Sequence, residues 1–380
     1  MAISKFYMPI RFIIGQGSFA QLGKETARLG KSALLVTGSR SMRSTGMLEK
    51  AAGDLAANGV AAVVFDKVEP NPRTSTIDTA AKIARDNRAK MVIALGGGSV
   101  MDASKCIALA AAGGEPIFSY YEGKANSKIN ALPIVAVPTV AASGSEANNG
   151  AVITNWETHE KVVLMHPSIY PAVSIVDPAL TLTVPAKTTA QGGVDIFCHL
   201  VEAYVTAHEY TLINDSLRES SMRTVVEALP DVLARLDDVE GRSRLTWAST
   251  IACSQFSNLG GGTGLMTLHG LEHALSAIYD MAHGDGLAAL LIEWMKFTLP
   301  SRRERIEKLG QNVFGASDGI EATQNWLHKV GMGKRLHALG VKEADLEVLA
   351  DNALKTAPWV KFHPIALDKA SIISIYKKSF

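Results

Sequence analysis

At 380 residues the chain exceeds the size at which one hydrophobic core stops growing, so two domains are expected. Hydrophobic residues make up 47% and charged residues 20%, which excludes a disordered chain and fits a well-buried globular enzyme. A net charge of +1 without Lys/Arg-rich runs excludes nucleic acid and anionic membrane as expected partners, and three scattered cysteines without a CxxC pair read as reduced thiols of a cytoplasmic protein.

The N-terminal stretch MAISKFYMPIRFIIGQG is interrupted by Pro9, Arg11 and Gly15 before it can form a signal-peptide core. Its alternating β-formers predict a first strand, whose free edge is a place for pairing between subunits. No apolar run approaches the ~20 residues of a membrane span. Strand and helix then alternate. Apolar runs at 33–37, 61–65, 91–95, 134–137 and 173–176 predict strands, and helical periodicity is seen at 47–58, at 76–87 and from 99 to about 112. Unbroken apolar runs between helices are the mark of a parallel sheet covered on both faces. Residues 151–154 and 161–165 flank a polar TNWETHE segment and predict a hairpin. After Pro185 strand-like runs become scarce. The expected division is an α/β domain over 1–185 and an all-helical domain over 186–380.

Three turns follow predicted strands. At 96–99, Gly-Gly-Gly-Ser leads into a helix, where close backbone approach and free N–H groups suit a phosphate. The competing reading is a plain turn, with Ser99 as N-cap and Asp102 as its capping-box partner. The second turn, PTVAASGSE at 138–146, offers small hydroxyl residues to pyrophosphate or nicotinamide. The third, TGSRSMR at 37–43, has no carboxylate to hold a ribose 2′-hydroxyl. Ser39, Arg40, Ser41 and Arg43 suit a 2′-phosphate instead, which favours NADP(H) over NAD(H).

Two segments carry metal-ligand spacing. GGVDIFCHLVEAY places Asp195 and His199 four residues apart, on one helix face. LHGLEHALSAIYDMAHGDG carries His269 and His273 at the same spacing, with His283 beyond, and also Glu272, Asp280 and Asp285. On a continuous helix His283 lies ~21 Å from His269 at ~1.5 Å per residue, so both serve one ion only if the helix breaks near 279–282. Spacing leaves open whether His273 or His283 is the ligand. A carboxylate with imidazoles and no thiolate suits Fe²⁺, Zn²⁺ or Mn²⁺. Neither 188–217 nor 245–295 contains Lys or Arg, which favours a small neutral substrate.

GGGSxxDxxK at 96–105, Pro-Thr…Gly-Ser-Glu at 138–146 and the DxxxH…HxxxH…HG spacing together resemble the iron-containing (group III) alcohol dehydrogenase family. Within it, LHGLEHALSAIYDMAHG and SGSEANNGAVITN look most like the branch of NAD(P)H-dependent butanol dehydrogenases and broad aldehyde reductases. The resemblance implies a dehydroquinate synthase-like fold with cofactor and metal in the cleft between domains, and a homodimer. It implies a metal-dependent NAD(P)-linked oxidoreductase interconverting small primary alcohols and aldehydes by direct hydride transfer. It places the metal, Fe²⁺ before Zn²⁺, on Asp195, His199, His269 and His283, and leaves His273 as a second-shell or catalytic histidine. The cofactor positions fall on Gly97, Gly98, Ser99, Asp102, Thr139 and Ser143, with Lys161 and Leu180 at the nicotinamide end; Ser39 and Ser41 stand where a related branch accepts NADP. Ala142-Ser143 replaces the usual Gly-Thr, and His363-Pro364 stands where many relatives have Asn-Pro-Arg. Glycerol or polyol dehydrogenation and a dehydroquinate synthase-like lyase activity are the alternatives on this fold; the lyase needs cations that the two segments lack.

Overall fold

The structure, a computed structural model, describes residues 6–260 and 262–380. The stretch 1–17, expected to hold a first strand, does so at Arg11–Ile14; residues 1–5 lie outside the described residues. The chain forms two compact units. One comprises Tyr7–Thr158 and Val162–Val184; the other comprises Pro185–Phe380 with His159–Lys161 and Phe6. Unlike the expected division at 185, three residues of the hairpin thus belong with the helices. The reason is local: His159 Nδ1 bonds the Ala277 carbonyl at 3.0 Å, Glu160 pairs with Lys355, and Lys161 pairs with Glu272 at 3.6 Å.

In the first unit the strands are β1 (Arg11–Ile14), β2 (Ser32–Gly38), β3 (Ala61–Val68), β4 (Met91–Gly96), β5 (Ile134–Pro138) and β8 (Val173–Val176); β6 (Gly150–Asn155) and β7 (Glu160–Met165) form a separate two-stranded sheet. The six-stranded sheet is parallel throughout, in the order β1-β8-β5-β4-β2-β3. The helices are α1 (Leu22–Ala27), α2 (Ser41–Ser44), α3 (Met47–Ala57), α4 (Thr74–Asp86), α5 (Gly98–Gly113) and α6 (Ile117–Tyr121).

Why these strands read as unbroken apolar runs is visible in the pleat. Leu34, Val36, Val92 and Ala94 enter one core with α4 and α5, whereas Ala33, Leu35, Ile93 and Leu95 enter the other with α3. Side chains of both parities must therefore be apolar. The chain passes from β2 to β3 on one side and returns to place β4 on the other. That reversal opens a crevice beyond the carboxyl ends of β2 and β4, where open α/β sheets bind ligands.

The second unit is built from α7 (Ala186–Thr206), α8 (Leu212–Ala234), α9 (Val239–Ala252), α10 (Thr267–Tyr279), α11 (His283–Leu309), α12 (Gly319–Lys329), α13 (Leu346–Thr356) and α14 (Lys369–Lys378). α7 packs on α8 and α11, and α10 on α11 and α13. Among the described residues no helix is long and apolar enough to cross a membrane. The expected break is present: α10 ends at Tyr279, Asp280 takes the left-handed conformation at φ 49°, and α11 starts at His283 itself rather than just after it.

Candidate functional site

Helix α7 presents Asp195, His199 and Glu202 on one face at i, i+4 and i+7. Helix α10 brings His269 to that face, and the turn at Asp280 returns the chain so that His283, the first residue of α11, joins it. His199, His269 and His283 point Nε2 at a single atom, Asp195 Oδ1, at 3.3, 3.4 and 3.7 Å. The His199 and His269 rings stack at 4.2 Å and those of His269 and His283 lie 5.1 Å apart. Asp195 Oδ1 and His269 Nε2 are buried without a hydrogen-bond partner. Orphaned polar atoms in so buried a place are costly unless something else satisfies them. Asp195, His199 and His269 bring ligand atoms close enough together to hold one dication, with His283 Nε2 3.7 Å from Asp195 Oδ1.

The far sides of two imidazoles are already engaged. His269 Nδ1 bonds the Glu202 carboxylate, and His283 Nδ1 bonds Glu272. This leaves Nε2 of each as the ligand atom, an arrangement that fixes tautomer and ring orientation in metal sites. Glu202 also accepts the backbone N–H of Leu268 at 2.6 Å and of His269 at 3.3 Å. Since α10 has no side-chain cap of its own, Glu202 supplies one from α7. Glu272 accepts the Ser276 hydroxyl at 2.5 Å. A Cβ on Gly286 would come within 2.7 Å of Glu272 Cγ, so the second glycine of His-Gly-Asp-Gly is required by this close approach.

Charge supports the same reading. Asp195, Glu202 and Glu272 are buried, and the buried ammonium of Lys161 lies 3.6 Å from Glu272. Three carboxylates against one ammonium leave two negative charges, the charge of one dication. Without it, protonation compensates. Burial works against a charged His269, yet Glu202 and Asp195 raise its pKa to about 10. Burial and the charge of His269 push His199 down to about 3. Burial alone would raise the Asp195 carboxyl, but the three imidazoles hold it well below the carboxylate range. The local sequence around the ligands is free of cations, as read above, but the pocket is not: Lys161 arrives from the hairpin, and its charge is met by Glu272.

His273, one turn after His269, is buried, its Nδ1 has no partner, and burial, then Lys161, hold its pKa well below 6.5. Its ring lies 5.7 Å from that of His283, and Glu272, His273 and His283 form a second cluster of metal-capable atoms. Glu272 Oε2, however, is taken by His283 and Lys161, whereas Asp195 Oδ1 is unpartnered. The first cluster is the better metal centre. Asp195, His199 and His269 form that cluster, and His283, the fourth ligand the resemblance implies, reaches Asp195 Oδ1 at 3.7 Å while also belonging to the second cluster. Glu202 was missed by the sequence reading; its i+7 spacing from Asp195 was the available signal.

In the sheet unit the three turns lie beyond the adjacent strands β5, β4 and β2. Gly97 is the N-cap of α5 and makes no side-chain cap, so the Ser99 capping-box reading is replaced: Ser99 lies inside the first turn. Asp102 is buried and accepts the Ser145 hydroxyl at 2.6 Å and the Val152 N–H at 2.9 Å, which ties α5 to the second turn. Lys105 does the same, donating to Asn148 and the Gly150 carbonyl at 3.0 and 2.7 Å. A Cβ on Gly98 would stand 2.5 Å from Ser143 Oγ, so the two turns touch and Gly98 must be glycine. Thr139 and Leu180 are buried; Ser39, Arg40 and Ser41 are exposed. Arg43 is not free for a phosphate: Asp66 holds it at 2.6 Å, and Glu49 lies at 3.7 Å.

The helical unit thus carries a cluster able to hold a dication, and the sheet unit carries glycine turns at its strand ends; comparison with known proteins gives the class. The model of the iron-containing alcohol dehydrogenase family matches residues 9–178, and the C-terminal model of the same family matches 189–380. The chain belongs to the iron-containing alcohol dehydrogenases and is an oxidoreductase of that family. Over 99% of both chains it is 33% identical to NADH-dependent butanol dehydrogenase B of Clostridium acetobutylicum. It is 34% identical to a probable NADH-dependent butanol dehydrogenase 1 of Bacillus subtilis, over 98% of each. Among solved structures it is similar to NADH-dependent butanol dehydrogenase A of Thermotoga maritima, with 31% identity, a TM-score of 0.94, and 100% of this chain and 99% of that one covered.

Proposed function

We propose that this enzyme interconverts small, neutral primary alcohols and aldehydes with a nicotinamide dinucleotide, using one dication held by Asp195, His199, His269 and His283. The observation that carries the reading is the convergence of three Nε2 atoms on the unpartnered Asp195 Oδ1. When bound, the dication supplies Lewis acidity toward an alcohol or carbonyl oxygen, and the nicotinamide supplies or accepts the hydride. Fe²⁺ is the first choice and Zn²⁺ the second, since the donors are imidazole and carboxylate without thiolate.

The chain's own groups do the rest. Glu202 and Glu272 keep the His269 and His283 rings turned with Nε2 inward. His273 Nδ1, without a partner, is the atom that takes up or returns the proton of the alcohol. Gly97, Gly98 and Ser99 open the α5 N-terminus to a pyrophosphate, Asp102 positions the second turn, and Thr139 and Ser143 offer hydroxyls. Lys161 and Leu180 are assigned to the nicotinamide end. The pairing of Lys161 with Glu272 supports a neutral substrate.

For the adenosine end, Ser39, Arg40 and Ser41 support a 2′-phosphate and hence NADP(H). The pairing of Arg43 with Asp66, and relatives whose names specify NADH, favour NAD(H). We assign acceptance of both, with the NADP(H) preference resting on Arg40. The free edge of β1 supports a homodimer, and the reduced cysteines a cytoplasmic setting.

The test is to mix purified, Fe²⁺- or Zn²⁺-loaded protein with butanal and NADPH or NADH and follow loss of the reduced cofactor's absorbance. Turnover that requires added metal is expected. No turnover across small aldehydes with either cofactor and either metal overturns the reading.

A further inference from the structure

The two outer carboxylates are not equivalent. Glu202 is fully buried, reaches His269 from α7, and receives two backbone N–H groups besides the imidazole. Among the described residues no Lys or Arg pairs with it, and its Oε1 faces the His269 ring. Glu272 serves His283 from α10, but it shares the same oxygen, Oε2, with Lys161. The two imidazoles also differ in setting: the His269 side chain is 6% exposed and that of His283 is 26% exposed. A carboxylate on Nδ1 makes the opposite nitrogen a stronger donor. A cation on that carboxylate withdraws part of the effect.

We propose that Glu202 and Glu272 are positioning residues of unequal strength: Glu202 makes His269 the anchoring metal ligand, and the Lys161–Glu272 pair makes His283 the weaker, more readily released one. This rests on the metal reading above. It assigns Lys161 a task in the helical unit, as a brake on the His283 side, that is independent of any cofactor contact. It also explains the chemistry of the pocket's outer layer. One carboxylate is locked by helix-terminal amides and cannot follow the metal out. The other is held by a side-chain ammonium and a side-chain hydroxyl.

The experiment uses the full-length protein, stripped of metal and reloaded with Co²⁺, with cofactor and substrate left out. Affinity is read by competition with a chelator, and ligand geometry by the visible absorption of the bound Co²⁺. Glu202→Gln is expected to weaken binding about 10- to 100-fold, the range for loss of an outer-shell partner. Glu272→Gln is expected to weaken it by less than one third of that factor. Lys161→Met, close in shape and without charge, is expected to bind as tightly as wild type or a few-fold more tightly, with a shifted Co²⁺ band. Equal losses in the two glutamine variants, a larger loss in Glu272→Gln, or weakened binding in Lys161→Met overturns the proposal. If Glu202→Gln does not fold by circular dichroism, the loss expected for Glu272→Gln against the unweakened binding expected for Lys161→Met decides the matter. A wild-type protein that takes up no Co²⁺ defeats the metal reading itself, a different result from uptake that is indifferent to the two carboxylates.

Discussion

The helical unit and the sheet unit are built for their proposed ligands by opposite means. Around Asp195 the work is done by side chains: buried charge, imidazoles fixed on their outer nitrogens, and oppositely charged groups in excess of what the protein alone can satisfy. At the ends of β2, β4 and β5 it is done largely by backbone and by absence of side chain, with glycine at Gly97 and Gly98 and small hydroxyls beside them. The first arrangement is demanding about one ion and intolerant of losing any donor. The second makes many weaker contacts and tolerates more. A variant should therefore damage one unit's ligand while sparing the other's.

The largest expected effect is on the metal side. His269→Ala removes the anchoring donor; metal binding and turnover should fall by several kcal/mol, on the order of 10³-fold or more. NAD(P)H binding, followed by fluorescence titration, should stay near wild type. A matched pair of small substitutions comes next. Gly286→Ala presses a methyl against Glu272 and should cost about 1–3 kcal/mol in metal affinity with cofactor binding unchanged. Gly98→Ala presses one against Ser143 and should cost a similar about 1–3 kcal/mol in cofactor affinity with metal content unchanged. Crossed effects in this pair would break the comparison.

A pH experiment separates general burial in the helical unit from the metal centre. His363 is buried against Thr298 and Trp294, and burial lowers its pKa from 6.5 to about 4. The unfolded chain takes up this proton at the higher pH. The stability associated with the residue is therefore complete above pH 6.5 and lost as the pH falls toward 4. Urea midpoints of wild type and His363→Gln should converge across that window. Smallest is Arg43→Ala. Its exposed pairing with Asp66 already engages the guanidinium, so the NADPH-to-NADH ratio of kcat/KM should move by less than about fivefold.

Much of this contrast was legible in the chain. The sheet was readable because strands that feed two cores leave no polar residue in the run, as at Met91–Gly96. The break before His283 followed from arithmetic on helix rise, and Asp280 provides it. What was not legible depends on distances across the fold. Glu202 looked like one more residue of an apolar helix until α10 placed two amides and an imidazole against it. Asp102 had a local reading as a helix cap, but its partners lie 43 and 50 residues away. Lys161, in the hairpin by sequence, is a buried counter-ion of Glu272, and no periodicity announces that. Arg43 shows the reverse: its composition suited a phosphate, and a neighbouring strand supplies the carboxylate that answers it.

We place one dication at Asp195 rather than at the neighbouring Glu272–His273–His283 cluster. Crystals of the Co²⁺- or Zn²⁺-loaded protein, measured at the metal's absorption edge, test it directly. A single anomalous peak within bonding distance of Asp195 and of Nε2 of His199, His269 and His283 is predicted. A peak bonded to Glu272 and His273, or none in metal-loaded active protein, would contradict it.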